Sequence, residues 1–237
     1  MAGQYIEAVS SASFLGLLPG QCSLCRGWAR GALCGACREA LIRNVPRCER
    51  CAIAVPAGTS VCGACLHEPP PFARCVTALD YTEPWAGLIR EFKFHERVEL
   101  AALFARLMRE AAVDMQQHGL LLPAPLSPAR LRERGYNQSW ELARRLGPGA
   151  DAGLLLRVRD TAHQVDLPLA QRAGNVRGAF AVEPLRRREI EGREVTVVDD
   201  VLTTGATASE MARTLLDAGA ARVQLWVLAR TPSPAGA

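Results

Sequence analysis

The chain has 237 residues, which is enough for one α/β domain of average size and a small appendage. Hydrophobic residues make up 49% of it and support a substantial core, but no run approaches the roughly 18 apolar residues of a membrane-spanning helix, so we expect no membrane insertion. The net charge of +4 is modest and does not indicate a surface built to bind nucleic acid by charge alone.

The first segment, residues 1–19, contains a largely apolar stretch from Ser10 to Leu18. The first basic residue is Arg26, so no lysine or arginine precedes this stretch as it would in a secretory signal. We expect residues 1–19 to form a short packing helix and the protein to stay in the cytoplasm.

Residues 20–68 carry eight of the nine cysteines as four Cys-x-x-Cys pairs. The pairs are Cys22 with Cys25, Cys34 with Cys37, Cys48 with Cys51, and Cys62 with Cys65. Such a pair holds two thiolates at about 2.3 Å from one Zn²⁺, and two pairs complete a tetrahedron with no open position for water. Disulfides are the alternative, but they are typical of secreted proteins. We therefore predict a double zinc ribbon holding two structural Zn²⁺ ions.

The pairing of these knuckles is open from the sequence. Sequential pairing closes shorter loops than crossed pairing, although the entropy difference is small, and we favour it. Residues 1–70 hold six arginines and four acidic residues, so eight zinc-bound thiolates would make the module net negative. Direct DNA binding by the ribbon is therefore unsupported, and contact with a protein or with the next domain is favoured.

A stiff proline-rich linker is expected at residues 69–72, followed by a second domain over residues 73–230 and a disordered tail over residues 231–237. This domain opens with a strand near residues 73–81 and a helix that ends at Lys93, the only lysine, and a second helix is expected from about Glu96 to Gln117. Lys93 could serve only as a cation at a helix C-terminus, or it could reach the phosphates of a ligand.

The next strand, Leu120 to Pro123, leads into an arginine-rich segment. Ser127 is a good N-cap residue and the proline after it a good first helical residue. Arg130 and Arg134 would share one face of the resulting helix. A strand that ends in such a loop is a geometry typical of anion sites.

Residues 194–218 carry the strongest pattern in the chain. Val195 to Val198 is a β-branched run typical of a strand buried in a parallel sheet. Asp199 and Asp200 follow it, and because side chains alternate along a strand, we expect the strand to end before them if both reach one ligand. A small, hydroxyl-rich turn comes next, and apolar residues at helical spacing follow it.

This turn predicts an anion site. Successive loop N–H groups and the first helical turn point donors at one spot, where the helix dipole favours negative charge. Thr203, Thr204 and Thr207 add hydroxyl donors, while Gly205, beside Ala206, lets the backbone come close. The two acids nearby could accept from ribose hydroxyls or hold Mg²⁺. The alternative is an ordinary helix with threonine and aspartate caps.

The strand, two acids, two apolar residues and Thr-Thr-Gly-x-Thr resemble the phosphoribosyl-diphosphate (PRPP) signature of type I phosphoribosyltransferases. Further motifs resemble the ComF/GntX family over about residues 20–230. They are the four knuckles, Leu-Ile-x-x-x-Lys-Phe at residues 88–94, Pro-x-Pro-Leu at residues 123–126, Arg-Glu-Arg-Gly-Tyr-Asn-Gln-Ser at residues 132–139, and Asn-Val-Arg-Gly-Ala-Phe at residues 175–180. The resemblance implies a doubly wound, parallel-sheet α/β phosphoribosyltransferase fold behind the double zinc ribbon.

The resemblance also implies roles for residues. Asp199 and Asp200 would bind the ribose hydroxyls of PRPP, and the segment from Thr203 to Thr207 would wrap its 5′-phosphate. A flexible loop between residues 159 and 180 would close over the diphosphate and bring Arg172 to the leaving group; a static surface excursion is the alternative. With Mg²⁺ accompanying PRPP, we assign the diphosphate to Lys93, Ser127, Arg130 and Arg134.

Two functions are compatible with these features. The first is an enzyme that transfers phosphoribosyl from PRPP to an unidentified acceptor. The second is a non-catalytic module that senses PRPP or a nucleotide and acts in single-stranded DNA handling through protein partners. Family members are cytoplasmic and tied to natural competence or to the use of DNA as a nutrient, so competence proteins and single-stranded DNA are candidate partners.

Overall fold

The computed structural model describes residues 20–112, 119–159 and 176–233. The chain divides into two compact units whose boundary lies between Arg43 and Asn44. The first two cysteine pairs belong to the first unit, and the other two pairs belong to the same unit as the α/β domain. The expected N-terminal helix over residues 1–19 lies outside the described residues.

The first unit contains a short antiparallel pair and one helix. Strand β1, Gly20–Gln21, pairs with β2, Trp28–Ala29. Helix α1, Gly35–Leu41, begins at Cys34, whose Sγ accepts the N–H of Cys37 at 3.4 Å. The zinc knuckle thus also starts the helix.

The second ribbon packs into the core of the second unit. Its helix α2, Gly63–His67, begins after Cys62. Ala52 is only 1% exposed and lies in one hydrophobic cluster with Phe72 and Cys75. Phe72 is the last residue of the proline-rich segment 69–72 and is itself buried. This segment therefore connects the second ribbon to the hydrophobic core without an exposed spacer at its end.

The second unit is built on a four-stranded parallel sheet with the order β3-β8-β7-β4. The strands of the unit are β3 (Arg74–Asp80), β4 (Leu120–Pro123), β5 (Leu155–Arg157), β6 (Phe180–Val182), β7 (Glu194–Leu202) and β8 (Arg222–Arg230). Strands β5 and β6 form a separate antiparallel pair. The parallel sheet that the sequence predicts is confirmed.

Helices cover both faces of this sheet. They are α3 (Trp85–Phe94), α4 (Leu100–Ala111), α5 (Pro128–Arg134), α6 (Gln138–Leu146) and α7 (Ala206–Asp217), with a 3₁₀ helix at Pro184–Glu189. Helices α4 and α6 pack on each other and on the sheet. Helix α7 packs on the other face, where Met211 and Leu215 join Val195 and Val197 of β7 in the main core. The doubly wound α/β fold is thereby confirmed.

Strand β7 is longer than the sequence predicts. It pairs with β8 from Glu194 as far as Leu202, so Asp199 and Asp200 lie within the strand and not after its end. The physical reason is that β8 supplies backbone partners along this whole length. The expectation that the strand ends before the two acids is therefore wrong.

Two smaller differences concern element ends. The helix expected from about residue 96 begins at Leu100 and ends at Ala111, and residues 113–118 lie outside the described part of the chain. Thr231 follows β8 and donates its N–H to the carbonyl of Leu202 at 3.0 Å, whereas residues 234–237 are not described. Within the described ranges, the helices are too short or too polar to cross a membrane.

Candidate functional site

Two groups of four cysteines form the candidate metal centres. In each group the Sγ atoms all lie within 4.8 Å of one another, and each group joins two consecutive Cys-x-x-Cys pairs. The first group is Cys22, Cys25, Cys34 and Cys37, and the second is Cys48, Cys51, Cys62 and Cys65. The knuckles therefore pair sequentially.

The geometry of both groups fits zinc. The Sγ atoms of Cys25 and Cys34 are 3.7 Å apart, and those of Cys51 and Cys62 are also 3.7 Å apart. Four sulfurs at Zn–S distances of about 2.3 Å in a tetrahedron are separated by about 3.8 Å. Both sites can thus hold a structural Zn²⁺ without rearrangement of these pairs.

Backbone donors support thiolates at both sites. The N–H of Cys34 points at the Sγ of Cys22 at 3.4 Å, and that of Cys62 at the Sγ of Cys48 at 3.3 Å. Burial acts to raise the pKa of Cys22, but backbone hydrogen bonds, first that of Cys25 and then that of Cys34, lower it to about 6. The thiolate is the form that binds a metal.

The ninth cysteine has a different environment. Cys75 lies in β3, is 4% exposed and packs in the main core. Burial raises the pKa of its thiol well above the ordinary value. A buried neutral thiol behaves as a small apolar side chain, so Cys75 is a packing residue.

The two acids of β7 take different partners. Oδ1 of Asp199 accepts the hydroxyl of Ser139 at 3.0 Å and the N–H of Asp200 at 2.9 Å. Oδ2 of Asp200 lies 3.0 Å from Nζ of Lys93. Burial and then the charge of Asp200 raise the pKa of Asp199 to about 7. Two neighbouring carboxylates and one ammonium therefore form the charged part of the site.

The Tyr-Asn-Gln-Ser segment at residues 136–139 holds this arrangement together. The hydroxyl of Tyr136 donates to the carbonyl of Phe92, and Nε2 of Gln138 donates to the carbonyl of Lys93 at 3.4 Å. Ser139 binds Asp199. One short segment thus fixes the end of α3, which carries the lysine, and one of the two acids.

Asn137 of the same segment joins a helix to a strand end. Its Oδ1 accepts the N–H groups of Ser139 and Trp140 at 2.9 and 3.3 Å, which caps α6. Its Nδ2 donates to the carbonyl of Ala124 at 3.0 Å, just after β4. The sequence indicates only that these polar residues lie at the edge of a site; their individual partners depend on tertiary structure.

The loop between β7 and α7 has the features of an anion cradle. Gly205 is the N-cap of α7 at φ +85°, a left-handed conformation that favours glycine, and it has no side chain with which to cap the helix. Oγ1 of Thr204 accepts the N–H of Ala206 at a long 3.4 Å. Thr203 and Thr204 are exposed and Thr207 is half-buried. A long threonine contact at the first helical N–H is compatible both with an anion cradle and with a helix that has a threonine cap.

Arg230, at the end of β8, supports the base of this loop. Its Nη1 donates to the carbonyls of Leu202 and Thr203 at 3.0 and 2.5 Å, and to that of Thr231 at 2.9 Å. Its Nε donates to the carbonyl of Cys51 at 3.1 Å. Sequence reasoning misses this residue, because an arginine at a strand end carries no local signal of its contacts.

The residues assigned to the diphosphate lie on or near α5. The hydroxyl of Ser127 caps α5 by accepting the N–H of Arg130 at 3.4 Å, and Ser127 is buried. Arg130 and Arg134 are half-buried, whereas Arg132 is exposed, which agrees with a shared face for the first two. The guanidinium of Arg134 lies 4.9 Å from the ring centroid of Phe94, directly after Lys93 in the chain. This contact brings α5 to the end of α3.

The segment expected to be a mobile loop is described only at its ends. Residues 160–175, which include Arg172, lie outside the described residues. Arg159 Nη1 donates to the carbonyl of Arg177 at 3.1 Å, so the two ends meet. The N–H of Gly178 donates to Glu210 of α7 at 2.6 Å. The segment therefore returns to the helix that follows the candidate phosphate loop.

Comparison with known proteins decides the family. A model of the double zinc ribbon domain matches residues 15–66, and a model of the phosphoribosyl transferase domain matches residues 142–237. DNA utilization protein YhgH of Salmonella typhimurium is 38% identical over 227 residues, which are 90% of this chain and 98% of that protein. This chain belongs to the ComF family.

Two further ComF-family relatives carry competence names. Competence protein F of Haemophilus influenzae is 33% identical over 89% of this chain and 96% of that protein. Competence protein ComFC of Bacillus subtilis is 28% identical over 64% of this chain and 62% of that protein. Among solved structures, an allosteric regulatory enzyme of purine biosynthesis is 18% identical over 59% of this chain and 30% of that chain, at a TM-score of 0.37.

Proposed function

We propose that this ComF-family chain binds PRPP with Mg²⁺ at the carboxyl edge of its parallel sheet and transfers the phosphoribosyl group to an acceptor. The observation that carries the proposal is the combination, in one strand–loop–helix unit, of two acids with a helix whose N-cap is a glycine in the left-handed conformation. Asp199 and Asp200 lie in the last four residues of β7, and Gly205 is the N-cap of α7 three residues after that strand ends. In doubly wound folds, ligands bind at this edge of the sheet.

Each part of PRPP has a proposed partner. The backbone N–H groups and hydroxyls of Thr203 to Thr207 would receive the 5′-phosphate, because the N-terminus of a helix favours an anion. Asp199 and Asp200 would accept hydrogen bonds from the ribose hydroxyls; because successive side chains alternate along β7, the two acids would approach the ribose from opposite faces of the strand near its C-terminal end. The diphosphate would lie toward Lys93 and α5, where Ser127, Arg130 and Arg134 are found. Mg²⁺ would arrive on the ligand, bound to its diphosphate oxygens.

The proposed reaction is a substitution at C1 of the ribose. The bond between C1 and the diphosphate oxygen breaks and its electron pair leaves with the diphosphate. A nucleophilic atom of the acceptor forms the new bond to C1 and releases its proton. Positive charge stabilises the departing diphosphate. In this proposal that charge comes from Lys93, from Arg172 and from the Mg²⁺ bound to the substrate.

The names of the relatives suggest the setting. Relatives are called DNA utilization protein and competence protein. We therefore propose a cytoplasmic role in the uptake or use of DNA, with single-stranded DNA or competence proteins as partners. The acceptor in such a setting would be a nucleobase, a nucleotide or an end of a DNA strand.

Diphosphate release tests transfer. Zinc-loaded full chain is mixed with PRPP and Mg²⁺, alone and with single bases, nucleotides or single-stranded oligonucleotides. The proposal predicts acceptor-dependent diphosphate release and an acceptor mass increased by one phosphoribosyl group. PRPP binding without release for any acceptor would instead support the non-catalytic sensing module.

A further inference from the structure

Arg230 connects two parts of the second unit that the sequence keeps far apart. Its guanidinium touches the carbonyl of Cys51, a ligand residue of the second zinc site, and the carbonyls of Leu202 and Thr203, where the candidate phosphate loop begins. The side chain is half-buried. A planar guanidinium has fixed donor directions, so it can hold both backbones only when both are in place.

The knuckle formed by Cys48 and Cys51 is held in place by other contacts as well. The carbonyl of Glu49 accepts the N–H of Cys75 in β3 at 3.1 Å. Nη1 of Arg47 donates to the carbonyl of Ala52 at 3.1 Å and pairs with Asp80 at the end of β3 at 2.9 Å. Three carbonyls of residues 49–52 thus accept hydrogen bonds, two of them from strands of the sheet. Zinc, by fixing Cys48 and Cys51, would fix these carbonyls in turn.

We infer that Arg230 is a positioning residue that couples the second zinc site to the phosphate loop. Zinc at Cys48, Cys51, Cys62 and Cys65 sets the Cys51 carbonyl, which orients the Arg230 guanidinium. The guanidinium then holds the Leu202 and Thr203 carbonyls, and with them the start of the loop that ends at Gly205. The inference rests on the proposed phosphate-binding role of this loop.

The coupling works in both directions. Equilibrium linkage requires that if zinc strengthens phosphate binding, a phosphate ligand strengthens zinc retention by the same factor. Ribose 5-phosphate should therefore raise the zinc affinity of the second site. The first site, Cys22 to Cys37, lies in the other compact unit and provides an internal comparison.

The test uses Arg230→Lys, which keeps the charge but lacks the fork of donors, and Arg222→Lys as the matched control. Arg222 begins the same strand, where its nearest acid is Glu194 at 3.9 Å. Ribose 5-phosphate affinity is measured by calorimetry on zinc-loaded chains. We expect about a fivefold or greater loss for Arg230→Lys, within the usual range for coupled sites, and no change for Arg222→Lys.

Zinc release and hydrogen exchange provide readouts that do not depend on catalysis. In equilibrium competition with a chelating dye, ribose 5-phosphate should lower the fraction of one zinc that the dye removes from wild type, and this protection should vanish in Arg230→Lys. Cys25→Ser, which leaves the second site intact, identifies the protected ion. In ligand-free protein, the peptide spanning residues 201–208 should exchange faster in Arg230→Lys than in Arg222→Lys.

The outcomes separate this inference from the proposed function. If wild type binds ribose 5-phosphate and Arg230→Lys keeps both its affinity and the zinc protection, the coupling is overturned and the phosphate site stands. If wild type does not bind ribose 5-phosphate, the proposed function fails and the coupling falls with it. Loss of affinity together with loss of protection supports the inference.

Discussion

Lys93 Nζ lies 3.0 Å from Oδ2 of Asp200, and only 20% and 10% of the two side chains are exposed. The lysine stands at the end of α3, whose carbonyls at Phe92 and Lys93 are held by Tyr136 and Gln138. The ion pair therefore depends on a helix end that a neighbouring segment fixes in place. In the ligand-free site this lysine offsets one of two adjacent carboxylates.

Replacing Lys93 by methionine should lower the free energy of unfolding, because Asp200 would keep a largely buried charge without its partner. Removing one partner of a fully buried pair costs roughly 3–5 kcal/mol, and for this partly exposed pair we expect about 2 kcal/mol. Urea unfolding measures the loss. The double variant Lys93→Met with Asp200→Asn should recover part of it, whereas strictly additive losses would contradict the coupling.

Ser139→Ala should weaken ribose 5-phosphate binding, because Asp199 loses the hydroxyl that orients it at 3.0 Å. A hydrogen bond to a charged group is worth roughly 1.5–3 kcal/mol, and since this serine acts through Asp199 we expect a loss of about tenfold. Ser127→Ala serves as the matched serine variant. It should cost about 1 kcal/mol of stability as a lost cap and leave ribose 5-phosphate affinity unchanged. Equal affinity for ribose 5-phosphate in wild type, Ser139→Ala and Ser127→Ala would show that Ser139 has no role in binding this ligand.

Gly205→Ala should cost both stability and phosphate affinity. Gly205 and Gly192 both have positive φ, +85° and +69°, and a Cβ at either position meets no protein atom within 4 Å. Alanine at either position should therefore cost a similar strain, about 1–2 kcal/mol. Only Gly205→Ala should also weaken ribose 5-phosphate binding, by about tenfold in calorimetry. A similar loss in Gly192→Ala would mean that the effect is a general result of strain.

Thr204→Val tests the same loop by removing a hydroxyl group. If Thr204 binds the 5′-phosphate, losing its hydroxyl should weaken PRPP and ribose 5-phosphate binding alike, by about tenfold to a hundredfold. Affinity for free diphosphate should change little, because we place it near Lys93, Arg130 and Arg134. A similar loss of affinity for free diphosphate would contradict the assignment of the 5′-phosphate to the loop at Thr204.

The chain should hold two Zn²⁺ ions, which elemental analysis of freshly reduced protein can count. Cys34→Ser should remove one ion, because Cys34 lies in the first four-cysteine group. Cys75→Ser should leave both ions in place, since Cys75 is buried in β3 outside both groups. A count of one ion in wild type, or loss of an ion in Cys75→Ser, would contradict the assignment of the sites.

Local patterns suffice to predict a strand followed by a loop and a helix, and the cysteine ligands of the zinc sites. The apolar run at Val195 to Val198 lies within one strand, and the helical spacing after Gly205 lies within one helix. The Cys-x-x-Cys spacing likewise encodes a half-site by itself, and short loops favour sequential pairing. Each of these features depends on neighbours in sequence, which is why the structure agrees with them.

Contacts between elements that are distant in the chain cannot be predicted from local sequence patterns. The length of β7 depends on pairing with β8, so the position of Asp199 and Asp200 within a strand was not predictable from the valine run. The place of the second ribbon in the core depends on Ala52 packing with Phe72, and the role of Arg230 depends on three backbones meeting. Such contacts arise from the folded topology, and no local spacing encodes them.

The most direct test of the central claim is calorimetric titration of the zinc-loaded chain with PRPP and Mg²⁺. We predict binding in the range of ordinary substrate constants, about 1 μM to 1 mM. The double variant Asp199→Asn with Asp200→Asn should bind at least about tenfold more weakly, because neutral amides hold ribose hydroxyls less well than carboxylates. Asp217→Asn, at the far end of α7, should bind like wild type. Absence of PRPP binding by wild type, or equal affinity in the folded double variant, would contradict the account.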